Sequence, residues 1–270
     1  MKDALIVSAL SIVPRKRGAW LMGWFARTRL SRLIVRIFVR VYGLNMDEAS
    51  EPIEAYPTLE ALFTRTLKPE ARPVDTTDKA MVSPVDGCVA AVGTSKNGKV
   101  RLTDEKSLDL SSLLGTQLDD EHDAVVIYLS PKDYHRVHSP IDGNATRWAY
   151  LPGTLWPVFP AAVRRVQDLF SKNERALVHL DTDQGPIEVV LIGAFGVGRI
   201  SLSCADIITN TDGKARDAIL DPGVVHKRGE HLGTFHLGST VVLMVPKNTW
   251  TWSISVGDTV RMGRRIGMAR

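Results

Sequence analysis

With 270 residues, 44% of them apolar and 24% charged, the chain can hold one large domain or two ordinary ones around a sizeable core. Its two cysteines, Cys88 and Cys204, are too few for a disulfide framework, lack metal-ligand spacing and point to a reducing compartment. The net charge of +4 is uneven: residues 1–42 carry nine basic side chains against Asp3 alone, so the rest is net acidic, which argues against nucleic-acid binding by the main body.

The first apolar run, Ala4 to Val13, is too short to span a bilayer, which takes about 20 residues. Pro14-Arg15-Lys16-Arg17 follows it, where a signal peptide would carry a small-residue cleavage site, so neither a signal peptide nor a transmembrane helix is expected. Residues 20–42 have helical spacing. Arg29, Arg32, Arg36 and Arg40 share one face; Leu30, Ile34, Ile37, Phe38 and Val41 fall on the other, with Leu33 inside the arginine stripe. Trp20, Trp24 and Phe25 lie one or two turns upstream. This segment suits the headgroup boundary of an anionic bilayer. The alternative is a surface helix packed on the protein's own core, its arginines solvated.

Composition changes near Asp47. A short helical pattern, Leu59 to Leu67, runs into Pro69 and Pro73. Beyond it, β-branched and aliphatic runs alternate with Gly, Pro, Asp and Asn: Val89–Val92, Ala124–Leu129, Ile187–Val197, Val241–Val245 and Trp250–Val256. Residues 158–170 have helical spacing in their second half. The expected fold is α+β: a mostly antiparallel β sandwich or barrel-like catalytic body (residues 46–270) preceded by basic amphipathic, membrane-associating helices (residues 1–45).

Two turn patterns recur. Ser83-Pro84-Val85-Asp86-Gly87 returns as Ser139-Pro140-Ile141-Asp142-Gly143, and Gly229-Glu230-His231-Leu232-Gly233 as Gly263-Arg264-Arg265-Ile266-Gly267. In such turns Pro sets φ, Asp bonds its own backbone and Gly takes the left-handed position. The echoes are too short for a solenoid and fit a compact sandwich that reuses one turn design.

No phosphate-cradling glycine loop and no zinc-type Cys/His pattern is present. His135 and His138 sit three apart in "SPKDYHRVHSPIDG" (130–143); ordinary loop histidines are one reading of them. A metal pair would need a third ligand, Asp133 or Asp142, at a spacing that matches no established site, so no metal is expected. "TFHLGST" (234–240) places Gly238, Ser239 and Thr240 before an apolar run, which a turn or bulge would explain. Asp86, His138 and Ser239 together supply an acid, a base and a hydroxyl, and geometry rather than chain order defines a triad.

At these residues the chain resembles the bacterial, pyruvoyl-dependent phosphatidylserine decarboxylases. "HLGST" (236–240) looks like their self-cleavage motif. "LFTRTLKPEARPV" (62–74), "SPVDGCV" (83–89), "DYHRVHSPIDG" (133–143), "LPGTLWPV" (151–158), "LFSKNERALV" (169–178) and "KRGEHLGTFHLGST" (227–240) match family patterns in the family's order, from about residue 56 to the C-terminus. Two departures are Leu62-Phe63, where two phenylalanines are frequent, and the freer segment 156–166.

The resemblance implies the following. Ser239 attacks the carbonyl of Gly238, and the chain parts into 1–238 and 239–270. Ser239 becomes a pyruvoyl cofactor that forms a Schiff base with phosphatidylserine, releasing carbon dioxide and phosphatidylethanolamine for phospholipid biosynthesis. His138 is the base for Ser239, Asp86 supports its imidazolium, and His135 assists decarboxylation and reprotonation. The implied partners are phosphatidylserine, an anionic membrane surface and the two cleaved chains with each other; homo-oligomerisation stays open, and no nucleic acid is implied. The implied location is peripheral, on the cytoplasmic face of the bacterial membrane. Asp142 reads as a turn residue, His231 and His236 as exposed strand positions, and Cys88 as a small buried filler. Two rivals remain at this point: a serine hydrolase using the same three residues uncut, and a non-catalytic, lipoyl-like binding module.

Overall fold

The computed structural model describes residues 15–195, 199–210, 213–236 and 239–270. The run Ala4–Val13 and Gly238 lie outside the described residues.

Two helices, Arg15–Arg27 and Arg32–Tyr42, open the described chain. Buried Ser31 fixes the break between them. Its hydroxyl bonds the carbonyls of Ala26 (3.0 Å) and Thr28 (2.8 Å) and receives the Leu59 amide (2.9 Å). The next helix, Leu59–Phe63, is capped by Thr58, whose hydroxyl accepts the Ala61 amide at 3.1 Å. Its length falls short of the expected Leu59–Leu67. Ala26, Val35, Leu44, Tyr56, Leu59, Leu62 and Phe63 form one small core. Ile34 and Phe38 pack on it, leaving Leu30, Leu33, Ile37 and Val41 exposed. The second helix therefore has two apolar faces, and Leu33, the exception in the arginine stripe, is the most exposed of its large apolar residues at 77%. No helix among the described residues is long and apolar enough to cross a membrane.

In chain order the strands are β1 (Ala80–Val82), β2 (Gly87–Thr94), β3 (Lys99–Arg101), β4 (Ser107–Asp109), β5 (His122–Leu129), β6 (Arg136–His138), β7 (Gly143–Leu151), β8 (Arg175–Asp181), β9 (Ile187–Gly193), β10 (Ile200–Leu202), β11 (Ile207–Ile208), β12 (Arg216–His226), β13 (His231–Phe235), β14 (Ser239–Pro246), β15 (Trp250–Trp252), β16 (Thr259–Val260) and β17 (Arg265–Ala269). Eight form one antiparallel sheet, ordered β12-β7-β8-β9-β14-β5-β2-β16. β14 lies at its middle because it is buried on both faces. Val241, Leu243 and Val245 enter one core, under the smaller sheets β11-β10-β13-β6 and β1-β17-β15. Val242 and Met244 enter the other, beside residues of the short helices Leu110–Leu114, Pro160–Arg165 and Leu169–Lys172. Two-sided burial is what an unbroken aliphatic run demands, each such side chain being worth roughly 1.5–3 kcal/mol. The fold is thus the expected α+β, mostly antiparallel sandwich; the large sheet stays open between edges β12 and β16. The helical pattern of 158–170 divides into two short helices at 166–168, where Asp168 takes φ +53°.

The turn echoes are structural counterparts. The Ser83 hydroxyl donates to the Val85 carbonyl (2.6 Å), and the Ser139 hydroxyl to the Ile141 carbonyl (2.7 Å). The Gly263 amide donates to the Ser83 carbonyl and the Gly229 amide to the Ser139 carbonyl. Both glycines have φ of +80 to +85°, the left-handed region that favours glycine. The two units also bond each other, Val82 N–H to the Pro140 carbonyl and His138 N–H to the Pro84 carbonyl, both at 2.9 Å.

Candidate functional site

Ser239 is the first residue of β14, with Leu129 of β5 on one side and Gly193 of β9 on the other. It is fully buried, and its Oγ has no hydrogen-bond partner among the described residues. Leu129 and Val241 belong to the core under the smaller sheets, so strand alternation aims the Ser239 side chain into that core. Buried hydroxyls are nearly always paired, and a lone one marks strain, an unfilled site or chemistry.

His135 leads into β6. It is fully buried against the edge of Phe63, ring centroids 4.9 Å apart. Its Nδ1–H donates to the Asp133 carbonyl (2.8 Å), which fixes the neutral tautomer with a bare Nε2 that has no partner among the described residues. Burial pushes its pKa down to about 3; the Asp133 hydrogen bond works against that shift and the Arg65 charge adds to it.

His138 ends β6 opposite His231 of β13. Its Nδ1–H donates to the Gly229 carbonyl (2.8 Å), and its Nε2 accepts from the Tyr134 hydroxyl (3.1 Å). Burial lowers its pKa to about 4, with the Gly229 hydrogen bond opposing and the charges of His231 and Arg136 assisting. Tyr134, itself pushed up to about 12 mainly by burial, shields the lone pair a base would use.

Asp86 does not hydrogen-bond His138, which corrects the expected Asp86–His138 pairing. Its Oδ1 accepts the Met262 amide at 2.9 Å, as Asp142 Oδ1 accepts the Arg228 amide at 2.8 Å in the echoed turn. Asp86 differs from Asp142 in a second contact: the Arg72 guanidinium clasps its carboxylate through Nε (2.9 and 3.1 Å) and Nη2. Arg72 also reaches Glu48 at 2.8 Å, and it is buried with Asp86. On His138, Asp86 acts only through space, its charge opposing the shift that burial imposes. Asp86 and Tyr134 line one cavity of about 320 Å³ that also receives Arg65, Lys132 and Arg261. Replacing Arg72 by methionine strips a buried carboxylate of its partner, so unfolding stability should drop by about 3–5 kcal/mol, read from urea titration of the chain.

Three other expectations change. Cys88 is exposed, because alternation along β2 turns Val89 inward and Cys88 outward. His231 is half-buried, its ring 5.8 Å from that of His138 and its Nε2 2.8 Å from the Thr234 hydroxyl. His236, two residues before Gly238, follows β13 and is half-buried. Its Nδ1 lies 3.0 Å from Glu60, which also meets Arg199 at 3.4 Å. Burial alone would raise the Glu60 carboxyl, but the His236 hydrogen bond and the charges of His236, Arg199 and Arg27 outweigh it and hold its pKa down. Arg72, Tyr134 and Glu60 escape a reading of motif spacing because chain reversals bring them to these partners. The signal available was their place in the quoted stretches 62–74 and 133–143 and the helical pattern from Leu59. No group of three metal-ligating side chains is found among the described residues.

Comparison with known proteins gives this geometry a context. Residues 59–268 match the family model described as phosphatidylserine decarboxylase. Among similar curated proteins, the phosphatidylserine decarboxylase proenzyme of Myxococcus xanthus (strain DK1622) is 37% identical over 290 residues, covering 99% of both chains. That of Marinobacter nauticus is 37% identical, covering 99% of this chain and 98% of its own. That of Coxiella burnetii (strain RSA 331 / Henzerling II) is 36% identical, covering 94% and 95%.

Proposed function

The chain belongs to the phosphatidylserine decarboxylase family, a family of lyases, and we propose that it is a proenzyme that cuts itself between Gly238 and Ser239 and then decarboxylates phosphatidylserine to phosphatidylethanolamine. One observation carries the reading: Ser239 is a buried hydroxyl without a partner among the described residues, held between two strands and directly following the bond proposed to be cut. This arrangement fits a residue that becomes a pyruvoyl group. That group, once formed, supplies a carbonyl that condenses with the substrate amine and accepts the electrons released as carbon dioxide leaves. The chain's own residues divide the remaining work. His138, neutral with Nδ1 tied to Gly229, presents Nε2 as base to Ser239 once Tyr134 lets go. Asp86, locked by Arg72, adds a weak favourable field. His135, neutral with a bare Nε2, moves the proton of the decarboxylation step. Intact-mass measurement of purified, active protein tests the reading. Two chains meeting at 238/239 support it; one full-length active chain overturns it.

The N-terminal helices extend the proposal to the membrane. Leu30, Leu33, Ile37 and Val41 form an exposed apolar strip flanked by exposed Arg29, Arg32, Arg36 and Arg40. The lipid headgroup boundary of an anionic, cytoplasmic bacterial membrane is its proposed partner, each arginine there contributing on the order of 1 kcal/mol. The Leu33→Glu/Ile37→Glu variant should lose at least about tenfold in binding to phosphatidylglycerol-containing vesicles by co-sedimentation, a loss set by roughly 1.5–3 kcal/mol per aliphatic side chain buried. Added salt should weaken wild-type binding, since these charges are exposed.

A further inference from the structure

Asn173-Glu174-Arg175 belongs to a stretch that matches the family, "LFSKNERALV", yet no step above uses it. Glu174 is buried, 2% exposed, at the start of β8. Its neighbours hold it in place. Arg175 spends its guanidinium on the backbone carbonyls of Leu113, Ser112, Ser171 and Asn173. The Asn173 side chain bridges the Trp156 amide and carbonyl and the Gly193 carbonyl, all within 2.9 Å. The Gly193 amide in turn donates to the Glu174 carbonyl at 2.9 Å.

Gly193 links this acid to Ser239. The two residues are direct partners across β9 and β14, so a Cβ on Gly193 would share a face with that of Ser239, about 4.5–5.5 Å away. Glu174 crowds that Cβ position, which lies 3.1 Å from its Cγ and 3.3 Å from its Oε1. The carboxylate therefore lies on the same face of the sheet as the Ser239 side chain, over Gly193 of the intervening strand β9. Its contacts to the hydroxyls of Tyr150 and Thr209 are long, 3.4 Å each.

Resting on the self-cleavage reading, we propose that Glu174 is the base that removes the Cα proton of Ser239 in the elimination that separates the two chains. Attack of Oγ on the Gly238 carbonyl carbon breaks the peptide C–N bond and leaves an ester, with the Ser239 nitrogen a free amine. Glu174 takes the Cα proton. The electron pair forms Cα=Cβ, the Cβ–Oγ bond breaks, and Oγ departs in the new carboxylate of residue 238. Glu174 returns its proton to Cβ, giving an iminium that water hydrolyses to the ketone and ammonium. Protons and electrons balance with water as the one co-reactant.

Glu174→Gln in the otherwise wild-type chain tests this. It keeps the shape and a hydrogen-bonding group but cannot hold the proton. We expect the pyruvoyl-terminated chain to appear about 100-fold more slowly, the lower range for losing a positioned acid–base group. An ester should accumulate meanwhile. Hydroxylamine should then cut it, and mass spectrometry should show residues 1–238 as a hydroxamate and residues 239–270 starting with intact serine. Maturation within about threefold of wild type overturns the proposal, and so does an uncut chain that hydroxylamine leaves whole, because the 100-fold acid–base effect would then be absent or lie at an earlier step. If Glu174→Gln does not fold, Gly193→Ala serves: its methyl pushes the carboxylate aside without removing it. The same ester is expected there, and maturation at the wild-type rate overturns the proposal. A wild-type chain that never cuts sinks the self-cleavage reading instead.

Discussion

Ser239→Ala is expected to give a single chain of 270 residues with no carbonyl-reactive terminus and no decarboxylase activity, where the proposed self-cleavage of the wild type should give chains 1–238 and 239–270. The expected effect is total because the substitution removes both nucleophile and cofactor precursor; nothing else can become the terminal ketone. The variant should still fold. Among the described residues Oγ makes no hydrogen bond that would be lost, and a methyl group suits the core formed by Leu129 and Val241. Stability within about 1 kcal/mol of an uncut reference is therefore expected. The competing serine hydrolase predicts an uncut wild type that reacts with fluorophosphonates. The self-cleaving enzyme predicts that hydroxylamine, or borohydride with an amine substrate, abolishes wild-type activity. An uncut Ser239→Ala chain that keeps activity would sink the account.

The central strands were legible because burial on two faces demands uninterrupted aliphatic runs. Val241–Val245 and Ala124–Leu129 lie inside β14 and β5 for that reason. β7 and β12 were not. β7 mixes Asn, Thr and Arg with Trp and Tyr, as a strand near a sheet edge does, and β12 carries Asp221-Pro222-Gly223, which reads as a turn. The structure runs the strand through that tripeptide and absorbs it as a register irregularity between Ile219 and Val224.

The site divides the same way. His135 and His138 stood out as two histidines three apart in a loop rich in Pro and Asp, and Ser239 as the hydroxyl of the HLGST motif that resembles a family self-cleavage site. Asp86 stood out within a repeated turn, but its echo Asp142 performs the same backbone task. Arg72, fourteen residues upstream, is what separates them. Glu174 was invisible as a participant because its relation to Ser239 runs through a glycine in a third strand, and cross-strand register is not written in any local stretch. The two histidines illustrate the opposite limit. Their spacing of three suggests equivalent roles, yet one ring nitrogen is bare and the other is covered by Tyr134.

That difference in environment leads to the second large effect, a split between the histidines. His138→Ala should remain uncut, and His135→Ala should cut itself but turn over about 10²- to 10⁴-fold more slowly, the usual loss for a positioned acid–base group. Each alone is followed by intact mass for processing and by carbon dioxide release for turnover. His135→Ala failing to cut would move His135 to maturation; His138→Ala cutting normally would remove His138 from it. The pH dependence has a definite sign. The competent base is the neutral ring, and His138, faced by Tyr134, His231, Arg136 and Asp86, has its pKa lowered to about 4. Processing should thus show no loss on acidification until the pH nears that value, well below the ordinary histidine pKa of about 6.5. Stability behaves otherwise. Because the folded values of about 3 and about 4 lie under the unfolded one, the unfolded chain binds protons the native chain refuses. The stabilisation is complete above pH about 6.5 and drains away as pH falls through the folded values. Mild acid should therefore lower the melting temperature before it slows cutting. A processing rate that instead halves near pH 6.5 would mean the base is a solvent-exposed group rather than this buried ring.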